Sequence, residues 1–270
     1  MKDEKRQLLP GRDHVTLEFF GHNDTAEKRD AILVIPGGGY GAVCSDREGY
    51  PIAQAYMMQE LNAFVLHYSV SGQIKSPIDP LYEAALAMIH IRKNADKYNI
   101  CPERVFTVGF SAGGHLAGSL ANLWNREDLH ALLGEDASLV RPTGAVLCYP
   151  VTLGVPEVGC GMTFKNLLKE SFPDQNAVDS FSLEKNVGAH SSPVFFLHTF
   201  DDALVPVENS LRLGLAYEDA GIPFEMHIYP HAPHGIALAN KITWSGNPDF
   251  VNSAIARWVE DSAVWMKGIQ

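Results

Sequence analysis

The pentapeptide Gly-Phe-Ser-Ala-Gly, centred on Ser111, is the segment of the chain best suited to chemistry. The apolar run 105–108 precedes it and leucines at helical spacing follow it, a pattern that predicts a strand, a sharp turn and a helix. Gly109 and Gly113 lack the Cβ atoms that would collide in such a turn, so the turn can hold Ser111 over the end of a sheet. The N–H of Ala112, at the start of the predicted helix, is free to donate to an oxyanion. Because many such pentapeptides are plain turns, the motif alone does not decide between a turn and a nucleophile.

Two further segments supply the groups that a serine nucleophile requires. Asp202 follows one apolar run of strand character, and His234 follows another. An imidazole, whose ordinary pKa is about 6.5, can take the proton of a serine hydroxyl and return it to a leaving group, while a carboxylate orients the imidazole and stabilises its cation. Because ligands of parallel sheets bind beyond the carboxyl ends of the strands, we expect the side chains of Ser111, Asp202 and His234 to lie in one region.

A run of three glycines, 37–39, directly follows the apolar run from Ala31 to Pro36. Such a run lets the main chain approach a ligand closely and leaves N–H groups unpaired, although a flexible turn is the more common meaning of a glycine run. No Gly-Lys-Ser/Thr sequence follows, which disfavours a phosphate site. The serine turn further along the chain favours the interpretation of this segment as an oxyanion loop.

The rest of the chain alternates between short apolar runs and segments of helical period. Strands are predicted at 15–20 (antiparallel), 31–36, 63–69, 105–108, 144–150, 193–199 and 224–229. Helices are predicted at 51–59, from Leu81 to about Ala95, after Ser111, at 207–220 and from Pro248, with Asn247 as N-cap, to the residue before Gly268. The pair Cys101-Pro102 is expected to interrupt the pattern before the strand that leads to the serine. This alternation predicts an α/β fold with a mostly parallel central sheet of about seven to eight strands and helices on both faces.

The segment 151–192 is the least regular part of the chain, with several glycines and prolines and one or two short helices expected near 164–170. An insertion above the carboxyl ends of parallel strands is suited to cap a substrate pocket. It can equally be a decorated crossover without a role in binding, and both interpretations stay open on the sequence.

Length and composition are those of a soluble globular protein in which residues 1–270 form a single domain. The 21 basic and 32 acidic side chains give a net charge of −11, which argues against binding to nucleic acid or to an anionic membrane surface. There is no apolar run of about 20 residues and the first segment is charged, so we expect no membrane span and a cytoplasmic location. The four cysteines have no spacing typical of a zinc site or a disulfide framework, and no metal is expected.

Together these segments resemble the α/β-hydrolase superfamily, in particular its group of small bacterial esterases, lipases and acetyl-xylan-esterase-like proteins. The nucleophile segment GFSAGGHLAG, the loop PGGGY, the acid loop HTFDDALVP and the histidine loop HAPHG each match a motif of that group. The chain order serine, acid, histidine is also that of the fold. The similarity covers nearly the whole chain and implies an α/β-hydrolase fold.

The resemblance assigns roles within the acid and histidine loops. The acid loop of the group usually reads H-G-x-x-D-x-x-V-P, which makes Asp202 the acid and Asp201 its neighbour, with Thr199 where a glycine is usual. His234 matches the catalytic base, and His231 is expected to be a loop residue. A metal held by His231 and His234 would lack a third ligand nearby.

The same resemblance assigns the oxyanion hole to the N–H groups of Gly38, Gly39 and Ala112. A shift of one residue within 37–40 stays open, and Tyr40 is assigned a contact with substrate.

Two positions near these motifs need separate interpretation. Pro36 stands where many relatives have a histidine, which leaves the anchoring of the glycine loop open. His115 lies one helical turn after Ser111, and because the helix fixes both residues we expect His115 to be a packed helix residue and not a base.

By resemblance, the chain is expected to be a serine carboxylesterase that hydrolyses short-chain acyl esters, above all acetyl esters, including esters of sugars or xylo-oligosaccharides, through an acyl-enzyme on Ser111. No cofactor is expected, the expected partner is a small-molecule ester, and a homodimer is left open. Two alternatives remain. One is a prolyl-oligopeptidase-like peptidase or acyl-aminoacyl hydrolase, and the other is a non-catalytic binding protein that keeps the fold. Such binding proteins commonly lose the serine or the histidine, and this chain has both.

Overall fold

Eight strands form one sheet in the computed structural model, which describes residues 2–22, 27–154, 161–169 and 174–269. The strands are β1 (Lys2–Gln7), β2 (Thr16–Gly21), β3 (Arg29–Ile35), β4 (Asn62–His67), β5 (Ile100–Phe110), β6 (Ala145–Cys148), β7 (Val194–Thr199) and β8 (Phe224–Tyr229). Their order across the sheet is β1-β2-β4-β3-β5-β6-β7-β8. The pairs β1–β2 and β2–β4 are antiparallel, and the other pairs are parallel. The predicted mostly parallel sheet, with an early antiparallel strand, is confirmed.

Helices cover both faces of this sheet. They are α1 (Ser45–Glu48), α2 (Tyr50–Met57), α3 (Asp79–Lys93), α4 (Ala95–Tyr98), α5 (Ala112–Asn122), α6 (Glu127–Leu133), α7 (Gly161–Leu168), α8 (Gln175–Phe181), α9 (Glu208–Asp219) and α10 (Trp258–Gly268). Because side chains alternate along a strand, Leu33 of β3 packs in the cluster formed with α3 and α5, whereas Ile32 and Val34 pack in the cluster formed with α2 and α10. Both faces of the central strands are therefore buried, which explains their continuous apolar runs.

The first strand was not predicted, because its sequence KDEKRQ has no apolar alternation. β1 pairs only with β2, and as an edge strand it tolerates charged residues. Lys5 of β1 bonds Glu18 of β2 at 2.9 Å.

The strand that leads to Ser111 begins earlier than predicted, at Ile100 instead of Val105. β5 runs through the pair Cys101-Pro102, and its register with β3 shifts between the partners of Arg29 and Ala31. The irregularity lets the strand include a proline, which has no N–H for the ladder.

The predicted final helix is shorter than expected. Asn247 does cap a turn, since its side chain accepts from the N–H of Asp249 at 3.0 Å, but that turn is a short 3₁₀ helix ending at Phe250. Asn252 then starts a new turn by accepting from the N–H of Ala254 at 3.0 Å, and α10 begins only at Trp258. Two local caps thus divide what the spacing of apolar residues predicted as one helix, and Gly268 is the last residue of α10 instead of the residue after it.

Within the predicted insertion 151–192, residues 155–160 and 170–173 lie outside the described residues. The described remainder carries α7, where a short helix was expected, and α8, which lies beyond the expected range 164–170. In the described parts of the chain, no helix has the length and apolar character that crossing a membrane requires.

Candidate active site

Ser111 occupies the turn between β5 and α5, with a backbone φ of +54°. An L-residue rarely adopts this conformation, and two glycines make it sterically accessible here. A Cβ atom on Gly109 would lie 2.0 Å from the carbonyl oxygen of Gly113, and one on Gly113 would lie 2.1 Å from that of Ile35. The predicted strand–turn–helix arrangement and the reason for its glycines are confirmed.

The structure brings Ser111, His234 and Asp202 together beyond the carboxyl ends of β5, β8 and β7. Nε2 of His234 lies 2.9 Å from Oγ of Ser111, and Nδ1 lies 2.7 Å from Oδ2 of Asp202. The carboxylate can only accept, so Nδ1 carries a proton, and in the neutral imidazole Nε2 is then the acceptor for the serine O–H. This arrangement can remove a proton from the serine hydroxyl as it attacks an electrophile.

Asp202 is buried and held at both oxygens. Oδ1 accepts from the N–H groups of Leu204 and Val205, each at 2.9 Å, while Oδ2 faces His234. Nε2 of the fully buried His198 lies 3.6 Å from Oδ2. Burial alone would raise the pKa of Asp202, but the imidazoles of His198 and His234 and the N–H of Val205 outweigh it and hold that pKa well below its ordinary value. The carboxyl group is therefore ionised at neutral pH.

The neighbouring pair Asp201 and His231 lies outside this arrangement. Nδ1 of His231 bonds Oδ2 of Asp201 at 2.9 Å, and both side chains are exposed. The sequence-based choice of Asp202 and His234 over their neighbours therefore coincides with the side chains that meet Ser111. No cluster of His, Cys, Asp or Glu with metal-binding geometry occurs among the described residues.

The glycine loop lies beside Ser111 with several N–H groups available. The N–H of Gly37 donates to Oε2 of Glu48 at 2.9 Å, which removes Gly37 from the candidate oxyanion donors. Among the described residues, the N–H groups of Gly38, Gly39 and Ala112 have no acceptor in the protein. Gly38 and Gly39 have φ values of +127° and +63°, which explains the glycines.

Pro36 and Tyr40, the ends of the loop, are both held by hydrogen bonds. The hydroxyl of Tyr68 donates to the carbonyl oxygen of Pro36 at 2.7 Å, which anchors the loop without the histidine found in relatives. Tyr40 is buried, and its hydroxyl bonds Nδ1 of His115 at 2.8 Å. In this structure Tyr40 supports the loop, and its assigned contact with substrate stays a prediction.

His115 is a packed helix residue, as expected. Its Nε2 bonds the carbonyl oxygen of Phe181 at 2.8 Å, so this nitrogen carries the proton and Nδ1 accepts from Tyr40. Burial lowers the pKa of His115 to about 4, only partly offset by the bond to Phe181, so the ring is neutral.

The described part of the insertion contacts the glycine loop. Nδ2 of Asn166, on α7, donates to the carbonyl oxygen of Gly39 at 2.7 Å, and Phe164 packs against the His115 ring at 5.4 Å. These contacts place the described part of the insertion beside the glycine loop, and its role as a cap over a substrate pocket stays a prediction.

Three residues that hold the site were missed by the sequence reasoning: Arg47, Glu48 and Tyr149. Nη2 of Arg47 donates to the carbonyl oxygen of Gly235 at 2.7 Å, directly after His234. The hydroxyl of Tyr149 donates to Glu48 at 2.9 Å. No spacing or motif distinguishes the buried Glu48 from its exposed neighbour Asp46, so the sequence offered no signal for it.

An eight-stranded, mostly parallel sheet with serine, acid and histidine at its carboxyl ends defines an α/β hydrolase. Comparison with known proteins agrees. Residues 88–245, more than half of the chain, match the model of the prolyl oligopeptidase family, and residues 17–145 match the model named BD-FAE. The chain therefore belongs to the α/β-hydrolase superfamily and, by the longer match, to the prolyl oligopeptidase family within it.

The individual relatives include proteins named for xylan or for acetyl esters. Endo-1,4-beta-xylanase B of Butyrivibrio fibrisolvens is 38% identical over 83% of this chain and 35% of its own length. The acetylxylan esterase of Xylanibacter ruminicola is 29% identical over 85% of this chain and 45% of its own. The chain thus spans less than half the length of these two relatives. The crystal structure of an acetyl ester-xyloside bifunctional hydrolase from Caldicellulosiruptor lactoaceticus is 30% identical, covers 98% of this chain and 96% of its own, and superposes with a TM-score of 0.82.

Proposed function

We propose that this protein is a serine carboxylesterase that hydrolyses short-chain acyl esters, above all acetyl esters, through an acyl-enzyme on Ser111. The observation that carries the proposal is the hydrogen-bonded series in which Nε2 of His234 lies 2.9 Å from Oγ of Ser111 and Nδ1 lies 2.7 Å from Asp202. A serine positioned this way has a base for its proton, and the base has a fixed tautomer.

The reaction proceeds in two half-reactions. Oγ of Ser111 attacks the ester carbonyl carbon while its proton moves to Nε2 of His234, and the resulting oxyanion is stabilised by the free N–H groups of Gly38, Gly39 and Ala112. The tetrahedral intermediate then expels the alcohol, which takes the proton from His234 and leaves the acyl group on Ser111. Water attacks this acyl-enzyme by the same proton route, which releases the carboxylic acid and restores the serine. No cofactor takes part in this scheme.

Acetylated sugars or xylo-oligosaccharides are the proposed natural substrates. Support comes from the names of the relatives, an acetylxylan esterase and an acetyl ester-xyloside bifunctional hydrolase. The family match to prolyl oligopeptidases favours a second candidate, the hydrolysis of peptide or acyl-aminoacyl bonds, which uses the same nucleophile and base.

The first test is hydrolysis of p-nitrophenyl esters from acetate to palmitate, together with acetylated xylo-oligosaccharides and an aminoacyl-naphthylamide. We expect the highest turnover on acetate or butyrate. Ser111→Ala is expected to reduce kcat at least about ten-thousandfold, since the attacking oxygen is lost. The exposed Ser253 provides a matched control, and Ser253→Ala is expected to retain full activity.

Covalent labelling distinguishes the enzyme from a binding protein with the same fold. A fluorophosphonate probe is expected to modify Ser111 in the wild type and to leave Ser111→Ala unlabelled. Wild-type ester hydrolysis by purified Ser111→Ala would contradict the mechanism. Turnover of the naphthylamide without any ester hydrolysis would favour the peptidase.

A further inference from the structure

We propose that Glu48 is a positioning residue that connects the glycine loop to the histidine loop of the candidate site. The inference rests on the proposed function, because it concerns the same serine and histidine. Glu48 is the last residue of the four-residue helix α1 and is almost completely buried, with 6% of its surface exposed. A buried carboxylate is costly unless its oxygens accept hydrogen bonds, so its partners indicate what it does.

One carboxylate oxygen of Glu48 accepts a hydrogen bond from the glycine loop next to Ser111. Oε2 accepts from the N–H of Gly37 at 2.9 Å. A Cβ atom on Gly37 would lie 2.7 Å from this oxygen and 3.1 Å from Cβ of Ser111, so the glycine is required for the close approach. The bond fixes the peptide that precedes the free N–H groups of Gly38 and Gly39.

The other oxygen holds the segment that follows His234. Oε1 accepts from the hydroxyl of Tyr149 at 2.9 Å, and the same hydroxyl oxygen accepts from the N–H of Ala237 at 3.1 Å. The N–H of Ala237 can only donate, so the single hydroxyl proton of Tyr149 must point to Glu48. The hydrogen bonds therefore run in one direction, from Ala237 to Tyr149 and from Tyr149 to Glu48. Together with the bond from Gly37, they require Glu48 to accept at both oxygens.

The ring of Tyr149 also packs against the imidazole of His234. The two rings meet edge to face, with centroids 5.0 Å apart and an interplanar angle of 69°. Arg47, the residue before Glu48, holds the carbonyl oxygen of Gly235 on the other side of the same loop. Two consecutive residues of α1 thus hold the histidine loop, and one of them also holds the glycine loop.

Replacement of Glu48 by glutamine tests this connection with little change in volume. An amide offers one oxygen and one NH₂. If the NH₂ faces Gly37, two donors meet and that hydrogen bond is lost. If the NH₂ faces Tyr149, it can donate to the hydroxyl oxygen, but the hydroxyl proton then loses its buried acceptor. We expect kcat to fall about ten- to hundredfold while KM changes little, because small misplacements of reacting groups cost rate more than binding.

The substitution also removes a negative charge close to His234. The charged or titratable groups that face this imidazole are Asp202, Tyr149 and Glu48. The neutral hydroxyl of Ser111 also faces it, and Arg47 approaches the next peptide. Burial raises the pKa of Glu48, and the bonds from Tyr149 and Gly37 oppose that rise. Without this carboxylate the imidazolium is less favourable, so the acid limb of the pH profile of kcat/KM is expected to move to lower pH.

The experiment compares Glu48→Gln with Asp46→Asn, which makes the same charge change on the exposed face of the same helix. Tyr149→Phe breaks the series at its other end while it keeps the ring beside His234. Rates on p-nitrophenyl acetate are divided by the number of sites that react with a fluorophosphonate, so that unfolded or inactive protein is not counted. The double variant Glu48→Gln/Tyr149→Phe is expected to lose about as much kcat as the single variant with the larger loss, because both substitutions break the same series of hydrogen bonds.

A fall of at least tenfold in kcat per labelled site, with a shift of the acid limb to lower pH, supports the proposal. A rate per labelled site within twofold of Asp46→Asn overturns it. So does a lower rate with an unmoved acid limb, which indicates a merely structural residue. Failure of the proposed function itself is distinguishable, because Ser111→Ala would then retain activity or the wild type would not react with the probe.

Discussion

Two aspartate–histidine pairs lie side by side in this protein and differ in their burial and in how their carboxylates are held. Asp202 bonds His234 at 2.7 Å, and Asp201 bonds His231 at 2.9 Å. The side chains of the first pair are 1% and 14% exposed, whereas those of the second are 47% and 82% exposed. An aspartate–histidine bond therefore does not by itself identify a catalytic pair.

The surroundings of each carboxylate explain the difference. Asp202 accepts two backbone N–H groups at one oxygen and lies beside the buried His198, so its orientation towards His234 is fixed. Asp201 accepts one backbone N–H, from Ala232, and faces water. An exposed pair is screened and mobile, so it cannot hold an imidazole in one orientation for proton transfer.

The histidines give the largest expected contrast between the pairs. His234→Ala removes the proposed base and is expected to lower kcat at least about ten-thousandfold, because the serine then has no proton acceptor. His231→Ala is expected to leave kcat within about twofold, since surface substitutions away from a site have small effects. Both are measured with p-nitrophenyl acetate on protein whose folding is checked by circular dichroism. Comparable losses in the two folded variants would contradict our choice of base.

The aspartates give the next contrast. In Asp202→Asn the side-chain oxygen is still needed by the N–H groups of Leu204 and Val205, so the NH₂ group faces Nδ1 of His234. Nδ1 must then accept, the proton moves to Nε2, and the imidazole cannot take the proton of Ser111. We expect kcat to fall about ten-thousandfold, the size of the loss that a wrong tautomer causes in a serine protease with the same triad.

The control for this tautomer argument is Asp201→Asn, which makes the same chemical change one residue away. It is expected to keep wild-type kcat. If Asp202→Asn lost less than about tenfold, the carboxylate would not set the tautomer of His234.

The motifs of the site could be predicted from the sequence because each is local. The turn at Ser111 is determined by the two glycines around it, and the acid and the histidine follow apolar runs whose strand character is strong. Parallel strands bring their carboxyl ends to one edge, so the meeting of these residues follows from the fold class. The prediction of most strands and of helices α2, α3, α5 and α9 was confirmed for the same reason.

The elements that the sequence did not reveal depend on contacts between distant segments. β1 is charged and becomes a strand only because β2 offers a free edge. No sequence feature separates Glu48 from the exposed Asp46. The burial of Glu48 depends on contacts with Gly37, which follows β3, and with Tyr149, which follows β6. The contact of Asn166 with Gly39 joins residues 127 positions apart. Neither the spacing of apolar residues nor a local motif encodes such contacts, since they arise only when the chain has folded.

The smallest expected contrast between the two aspartates is in how their replacement changes the free energy of unfolding at different pH values. The pKa of Asp202 is lower in the folded protein than in the unfolded chain, so its stabilisation is present above the unfolded value of about 3.9 and is lost as the pH falls towards the folded value. Asp202→Asn is therefore expected to lower the free energy of unfolding at pH 7 by about 1 to 3 kcal/mol.

Urea unfolding between pH 7 and pH 3 measures this contribution. The difference between the wild type and Asp202→Asn is expected to narrow as the pH falls below about 4, because asparagine does not titrate. Asp201→Asn is expected to change stability little at any of these pH values, although the bond to His231 also lowers the pKa of Asp201, because an exposed charge is screened by water and salt. A difference for Asp202→Asn that stayed constant with pH would mean that its carboxylate charge does not stabilise the fold. The contrast between the two pairs would then rest on geometry alone.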